Sequence, residues 1–221
     1  METNYKAIDA VANIWTREAL SHRPGWTDDF FVGKVKGKHD SAGISLEEMI
    51  AAMDEANIQC AFLVAAKAGR KGLSGCYHMP AKVVADAVQK YPDRFLGLIG
   101  IDPFMGMEGV RALEDAVVNM GFIGAHLYPH WYDLEPNQAR YYPFYAKCIE
   151  LDVPIQMQVG QSLIYSSEHR CRSVGRPIYL DDIACDLPSL KLIGSHVGIP
   201  WQDEMIAMAW KHDNVFICTD A

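Results

Sequence analysis

The stretch F-L-G-L-I-G-I-D-P-F-M-G-M-E-G-V-R-A-L-E-D-A-V-V-N-M-G-F-I-G-A-H-L-Y, Phe95 to Tyr128, holds one complete unit of the pattern that organises the chain. Its opening run, Phe95–Asp102, is near-continuously apolar, as a strand buried on both faces must be. Asp102-Pro103 closes that run with a turn signal. Val110, Leu113 and Val117 then recur at helical spacing, and Gly121 offers the left-handed stop that ends a helix. A second apolar run, Ile123–Tyr128, follows directly. Strand, helix and strand in that order make a parallel unit.

The same alternation extends in both directions. Further strands are predicted at Lys6–Asn13, Gln59–Ala65, Val153–Val159, Leu192–Val197 and Val215–Thr219. Ser45-Leu46-Glu47-Glu48 is a capping box opening a helix with Leu46, Met49, Ile50 and Met53 on one face. Val83, Val84, Ala87 and Val88 mark another, which stops near Tyr91-Pro92. Ala139–Leu151, Leu180–Asp186 and Trp201–His212 supply three more. Pro143 is expected to kink the first of these or to mark its first turn. Seven βα-type strands without an internal linker predict an α/β fold with a parallel sheet, and both a doubly wound sheet and a barrel remain open on this pattern. Seven is one short of the eight-stranded barrel, and the chain stops at Thr219-Asp220-Ala221, at a strand end. We therefore expect one domain, residues 1–221, which, if it is a (β/α)8 TIM barrel, is truncated after the seventh strand or is a fragment. Its eighth strand and C-terminal helices would be absent, leaving the flanks of the first and seventh strands bare.

The bulk numbers narrow the function. Half of the 221 residues are apolar, and the formal charge of −8 argues against a nucleic-acid partner, which needs a basic face. No apolar stretch reaches the roughly 18 residues of a membrane span. The opening M-E-T-N-Y-K-A lacks the layout of a signal peptide. Six cysteines are scattered without a C-x-x-C pair, which suits free thiols in a reducing compartment. A cytoplasmic protein acting on a small molecule is the expectation.

In a barrel the chemistry lies at the C-terminal strand ends. The polar residues there are Asn13 and Trp15, Lys67, Asp102, then His126, Tyr128 and His130, then Gln156, Gln158 and Gln161, and last His196 and Asp220. His196 closes an apolar strand just before a glycine, and reads as a catalytic group or as a satisfied core histidine. His126 and Tyr128 share a strand face at period 2, as site residues or as a packed aromatic cluster. His130 falls beyond that strand, and two histidines four apart on extended chain lie too far apart to chelate one metal easily. Asp102 reads as a turn former, and Lys67 as part of a solvated charge run, K-A-G-R-K-G. Arg170, Arg172 and Arg176 follow the fifth strand, where an arginine can clamp a carboxylate or simply face solvent. Trp131, Tyr132, Tyr141 and Tyr142 either form a homodimer surface or line the pocket mouth.

Four segments together resemble the amidohydrolase-related (type 2) family, which includes metal-dependent hydrolases and decarboxylases of the aminocarboxymuconate-semialdehyde and resorcylate type. They are F-L-G-L-I-G-I-D-P (Phe95–Pro103), G-F-I-G-A-H-L-Y-P (Gly121–Pro129), L-D-V-P-I-Q-M-Q-V-G (Leu151–Gly160) and L-K-L-I-G-S-H-V-G-I-P-W (Leu190–Trp201). The resemblance implies a (β/α)8 barrel and a divalent metal such as zinc, gripped in part by a first-strand D-x-H-x-H. Here Asp9 is kept, but Val11 and Asn13 stand at the histidine positions, and Gln158 at that of the fifth-strand histidine. His196 alone remains of the usual histidine ligands, and the last aspartate of the family set would fall beyond Ala221. Valine has no donor atom and neutral amides are poor zinc ligands, so the resemblance carries a scaffold whose metal has been lost.

Three functions are open. The first is a hydrolase or decarboxylase of a small acidic substrate with little or no metal. His196 would be its general acid or base, with His126 and Asp220 as partners, and Asn13, Trp15, Tyr128, Gln158 and Arg172 would hold the substrate. The second is a metal enzyme with an altered ligand set that includes His196. The third is a non-catalytic relative that binds a ligand or partner.

Overall fold

The computed structural model describes residues 6–25, 27, 30, 42–73, 75–162 and 170–219. Seven parallel strands form one sheet: β1 (Ala7–Ala12), β2 (Ile58–Ala65), β5 (Phe95–Gly100), β6 (Gly124–Leu127), β7 (Ile155–Gln158), β8 (Leu192–Ser195) and β9 (Val215–Ile217). Their order in space is their order in sequence, as crossover connections of one hand require. The chain between β2 and β5 adds a short antiparallel pair, β3 (Lys67–Ala68) with β4 (Tyr77–His78). Helices α1 (Arg17–Ser21), α2 (Leu46–Glu55), α3 (Ala81–Lys90), α4 (Gly106–Met120), α5 (Tyr142–Glu150), α6 (Tyr179–Asp186) and α7 (Gln202–Lys211) fill the other connections.

The sheet curls. Gln156 Nε2 on β7 donates to the carbonyl of Ala10 on β1 at 3.1 Å, although β2, β5 and β6 stand between those strands. Only a sheet bent back on itself brings the two together, so Gln156 faces an interior lumen. The alternate residues Ile155 and Met157 face the helices and are fully buried, with Leu127 and Leu192 beside them in register. Gly194 confirms the outward phase, because a Cβ there would touch the Met205 side chain of α7. The edge strands expose Ile8 and Phe216.

Most expected elements appear with trimmed ends. Ser45 and Glu48 form the capping box: the Ser45 hydroxyl accepts from Glu48 N, and Glu48 Oε2 accepts from Ser45 N. Gly121 ends α4 at φ +75, and Pro143 sits in the first turn of α5. The fifth expected strand begins only at Ile155, after Pro154, which has no N–H for the ladder. The sixth ends at Ser195, because His196 and Val197 turn left-handed. Of the four aromatics expected at a dimer surface or pocket mouth, three cannot form a dimer surface, while Tyr142 is half-buried and donates to Asp186. Trp131, Tyr132 and Tyr141 are buried within this chain, because Pro129–Tyr132 forms a 3-10 turn that folds inward. Tyr132 donates to the Lys67 carbonyl and Tyr141 to that of Leu134, and burial pushes both hydroxyls well above their usual pKa.

Candidate functional site

Strand register sets the lumen lining. His126 pairs with Gln156 across β6 and β7, and Gln158 pairs with Ser195 across β7 and β8. Parallel partners share a face, so all four side chains follow Gln156 into the lumen. Each is less than a tenth exposed. Gln156 Oε1, Gln158 Oε1 and Ser195 Oγ find no hydrogen-bond partner among the described residues. The Gln156 bond to a carbonyl fixes its amide orientation, leaving Oε1 as the free acceptor. Leaving such groups unpaired costs about 1–3 kcal/mol each. Tyr128 continues the same face, its ring 4.3 Å from that of His126.

His196 comes directly after Ser195 and is held in a strained turn. It lies at φ +64 and Val197 at φ +55, a region that β-branched residues rarely enter. Strain of this kind persists only where the surroundings enforce it. The enforcing contacts are visible: Gln161 N donates to Ile199 O at 2.7 Å, and Gly160 N to Gly175 O at 2.7 Å. His130 shares a hydrogen bond of 2.7 Å between its Nε2 and the Gly160 carbonyl, and it is fully buried. The His130 ring is thereby part of the scaffold behind His196, a role that its position in the P-H-W-Y turn did not reveal.

Burial lowers the His130 pKa first of all, the Gly160 bond opposes this, and nearby His196 lowers it further. The folded state therefore binds fewer protons than the unfolded one, whose histidine titrates near 6.5. Stability is full above 6.5 and is lost as pH falls from there through the lower folded pKa. We expect denaturation midpoints to drop over that window, and His130→Gln to flatten the drop. A slope unchanged by the substitution would contradict this role.

The remaining expected residues fall as follows. Asn13 is exposed at the end of β1, its Oδ1 accepting from Arg23 Nη2 at 3.3 Å, and Arg23 also lies 4.1 Å over the Trp15 ring. Arg172 is exposed, with its backbone N–H donating to Asp133. Arg176 pairs with Glu204. Asp220 lies outside the described residues. Asp102 caps the turn after β5, accepting from Phe104 N and from Lys71 N. Lys67 corrects the solvated-run reading. It is half-buried, and desolvation pushes its ammonium pKa down, with Asp102 opposing.

The donor set does not fit a divalent transition metal. Val11 offers nothing, Asn13 is engaged by a guanidinium, the Asp9 Oδ1 accepts from Val11 N at 3.1 Å, and Gln158 is a neutral amide. His196 stands as the one imidazole of the expected set.

The family model described as Amidohydrolase matches residues 10–221. Among solved structures, a TIM-barrel protein from Bordetella bronchiseptica superimposes with a TM-score of 0.70 at 23% identity, covering 98% of this chain and 75% of its own. A 5-carboxyvanillate decarboxylase from Novosphingobium aromaticivorans, with bound manganese, gives a TM-score of 0.66 at 20% identity, covering 95% of this chain and 72% of its own. Identities this low carry the fold alone. A 2-keto-4-carboxy-3-hexenedioate hydratase from Sphingobium is 33% identical over 88 residues, which is 36% of this chain and 26% of that enzyme. The match thus spans about a quarter of that relative's length.

Proposed function

The chain belongs to the amidohydrolase family, and on that premise we propose that it is a barrel enzyme that cleaves a carbon–carbon or carbon–oxygen bond in a small, acidic, aromatic or unsaturated substrate, without a catalytic metal. The observation that carries this reading is the set of buried lumen groups, Gln156 Oε1, Gln158 Oε1 and Ser195 Oγ, left without protein partners beside His126. A merely structural lumen would have little reason to keep polar groups that lose water and gain nothing. Hydroxylated acids present the donors that these acceptors lack.

In this account His196 is the general acid and base. For an aromatic acid it would deliver a proton to the ring carbon that bears the carboxylate; the carbon–carbon bond then breaks, carbon dioxide leaves, and the ring regains its aromaticity. For an enol or unsaturated acid it would move the proton that accompanies addition or loss of water. His126 and Asp220 would assist it, Gln158, Tyr128 and Asn13 would orient the substrate, Trp15 would wall it, and Arg172 would meet a carboxylate. Decarboxylase and hydratase relatives support both bond types. A single barrel domain in the cytoplasm fits free cysteines and helices too short and polar to cross a membrane among the described residues.

The test is a panel of hydroxybenzoic acids and unsaturated oxo-diacids, offered to the protein expressed from its full reading frame. Carbon dioxide release or hydration followed by NMR, lost in His196→Asn, supports the reading. Acids that bind in the lumen but never turn over would instead favour a binding relative.

A further inference from the structure

Outside the barrel mouth, three metal-binding donor types meet at one point on the surface. Asp181 and Cys185 stand one turn apart on α6, on the same face. His212 caps the end of α7, its backbone N–H bonded to Met208 O. One donor atom from each residue lies within 4.8 Å of the other two. We propose that Asp181, Cys185 and His212 form a peripheral binding site for a zinc-like divalent ion that pins α6 to the end of α7.

The chemistry favours that ion class. A thiolate, an imidazole and a carboxylate are the three donors that zinc takes, and a water would complete a tetrahedron. Magnesium and calcium prefer oxygen alone. Cys185 is exposed, and Asp181 and His212 keep partial side-chain exposure, so an ion reaches them from solvent. The present arrangement is close to the ligated one. His212 Nε2 and Lys211 Nζ both contact Asp181 Oδ1 at 2.6 Å. An incoming ion would part the histidine from the aspartate and release Lys211, already half exposed, to water. On binding, the Cys185 thiol gives its proton to solvent and His212 contributes a neutral lone pair, so affinity rises with pH.

The site is remote from the lumen. Cys185 precedes the start of β8 and His212 the start of β9, whereas the lumen groups Gln158 and Ser195 end β7 and β8. Its role is therefore structural or regulatory.

Cobalt(II) titration of the purified protein tests it. We expect one equivalent to bind with a thiolate-to-cobalt charge-transfer band. Cys185→Ser should abolish the band, and His212→Gln should weaken binding at least about tenfold, with far-ultraviolet circular dichroism unchanged. Absence of the band, or a band that survives Cys185→Ser, would overturn the assignment.

Discussion

Replacing Gln158 with leucine is expected to leave the protein at least as stable as before, and to lower kcat/KM on its acidic substrate by about 10²-fold or more. Gln158 is 6% exposed and its Oε1 has no partner among the described residues, so the native chain carries an unmet desolvation cost there. Leucine of similar volume removes that cost, worth about 1–3 kcal/mol. The same change strips the lumen of a group placed to hydrogen-bond substrate. Gln156→Leu is the control with the opposite sign. It breaks the bond to the Ala10 carbonyl that ties β7 to β1, and strands that carbonyl, so stability falls. Thermal melts and kinetics on the same samples read both outcomes. A Gln158→Leu protein that melts lower but turns over normally would mark this glutamine as structural.

Across the described glycines, Gly160→Ala is expected to be among the most damaging single added methyls. Gly160 lies at φ +87, where an L residue costs roughly 1–2 kcal/mol. Its new Cβ would collide with the Ile199 carbonyl oxygen and lie 2.7 Å from the Gly198 carbonyl carbon. Those are backbone atoms of the turn that begins at His196, and they cannot swing aside as a side chain can. Overpacking adds about 1–3 kcal/mol, so the total loss is about 2–5 kcal/mol. For a chain of this size that lowers Tm by roughly 5–15 °C. Activity should fall further than stability alone dictates, because the same segment holds His130 and the His196 turn. The Cβ of Gly175→Ala would collide with the His130 ring and lie 2.8 Å from the Gly160 carbonyl oxygen, but position 175 carries no left-handed φ, so the change should cost less. An unshifted melt for Gly160→Ala would contradict this account of the turn.

The sheet was legible in the sequence where a strand is near-continuously apolar, as Phe95–Gly100 is, whereas β7 alternates Ile155 and Met157 with Gln156 and Gln158. Helix ends were legible where a local interaction fixes them, as at Ser45 with Glu48 and at Gly121. What escaped depends on distant contacts. The β3–β4 pair is two residues per strand, too short to carry a period. Lys67 looks solvated beside Arg70 and Lys71, and its burial comes from the fold around Asp102 and Tyr132. Trp131 and Tyr132 read either as a dimer surface or as the lining of the pocket mouth, and a 3-10 turn after Pro129 buries them. His130 gave no signal, since its partner Gly160 is 30 residues away. Of the lumen polar residues, His126, Gln156 and Gln158 stand among the strand-end residues read from the sequence and Ser195 does not. Only register and the hydrogen bond to Ala10 separate Gln156, which braces the barrel, from Gln158, which does not.

The most direct test of the central claim is turnover of the identified acid by the Cys185→Ser protein, which lacks the peripheral cysteine, before and after exhaustive chelation, with metal content measured on the same sample. The account predicts undiminished turnover with no stoichiometric metal bound, since Val11, Asn13 and Gln158 give a divalent ion nothing to hold. Turnover that vanishes with chelation and returns with one equivalent of manganese or zinc would contradict it.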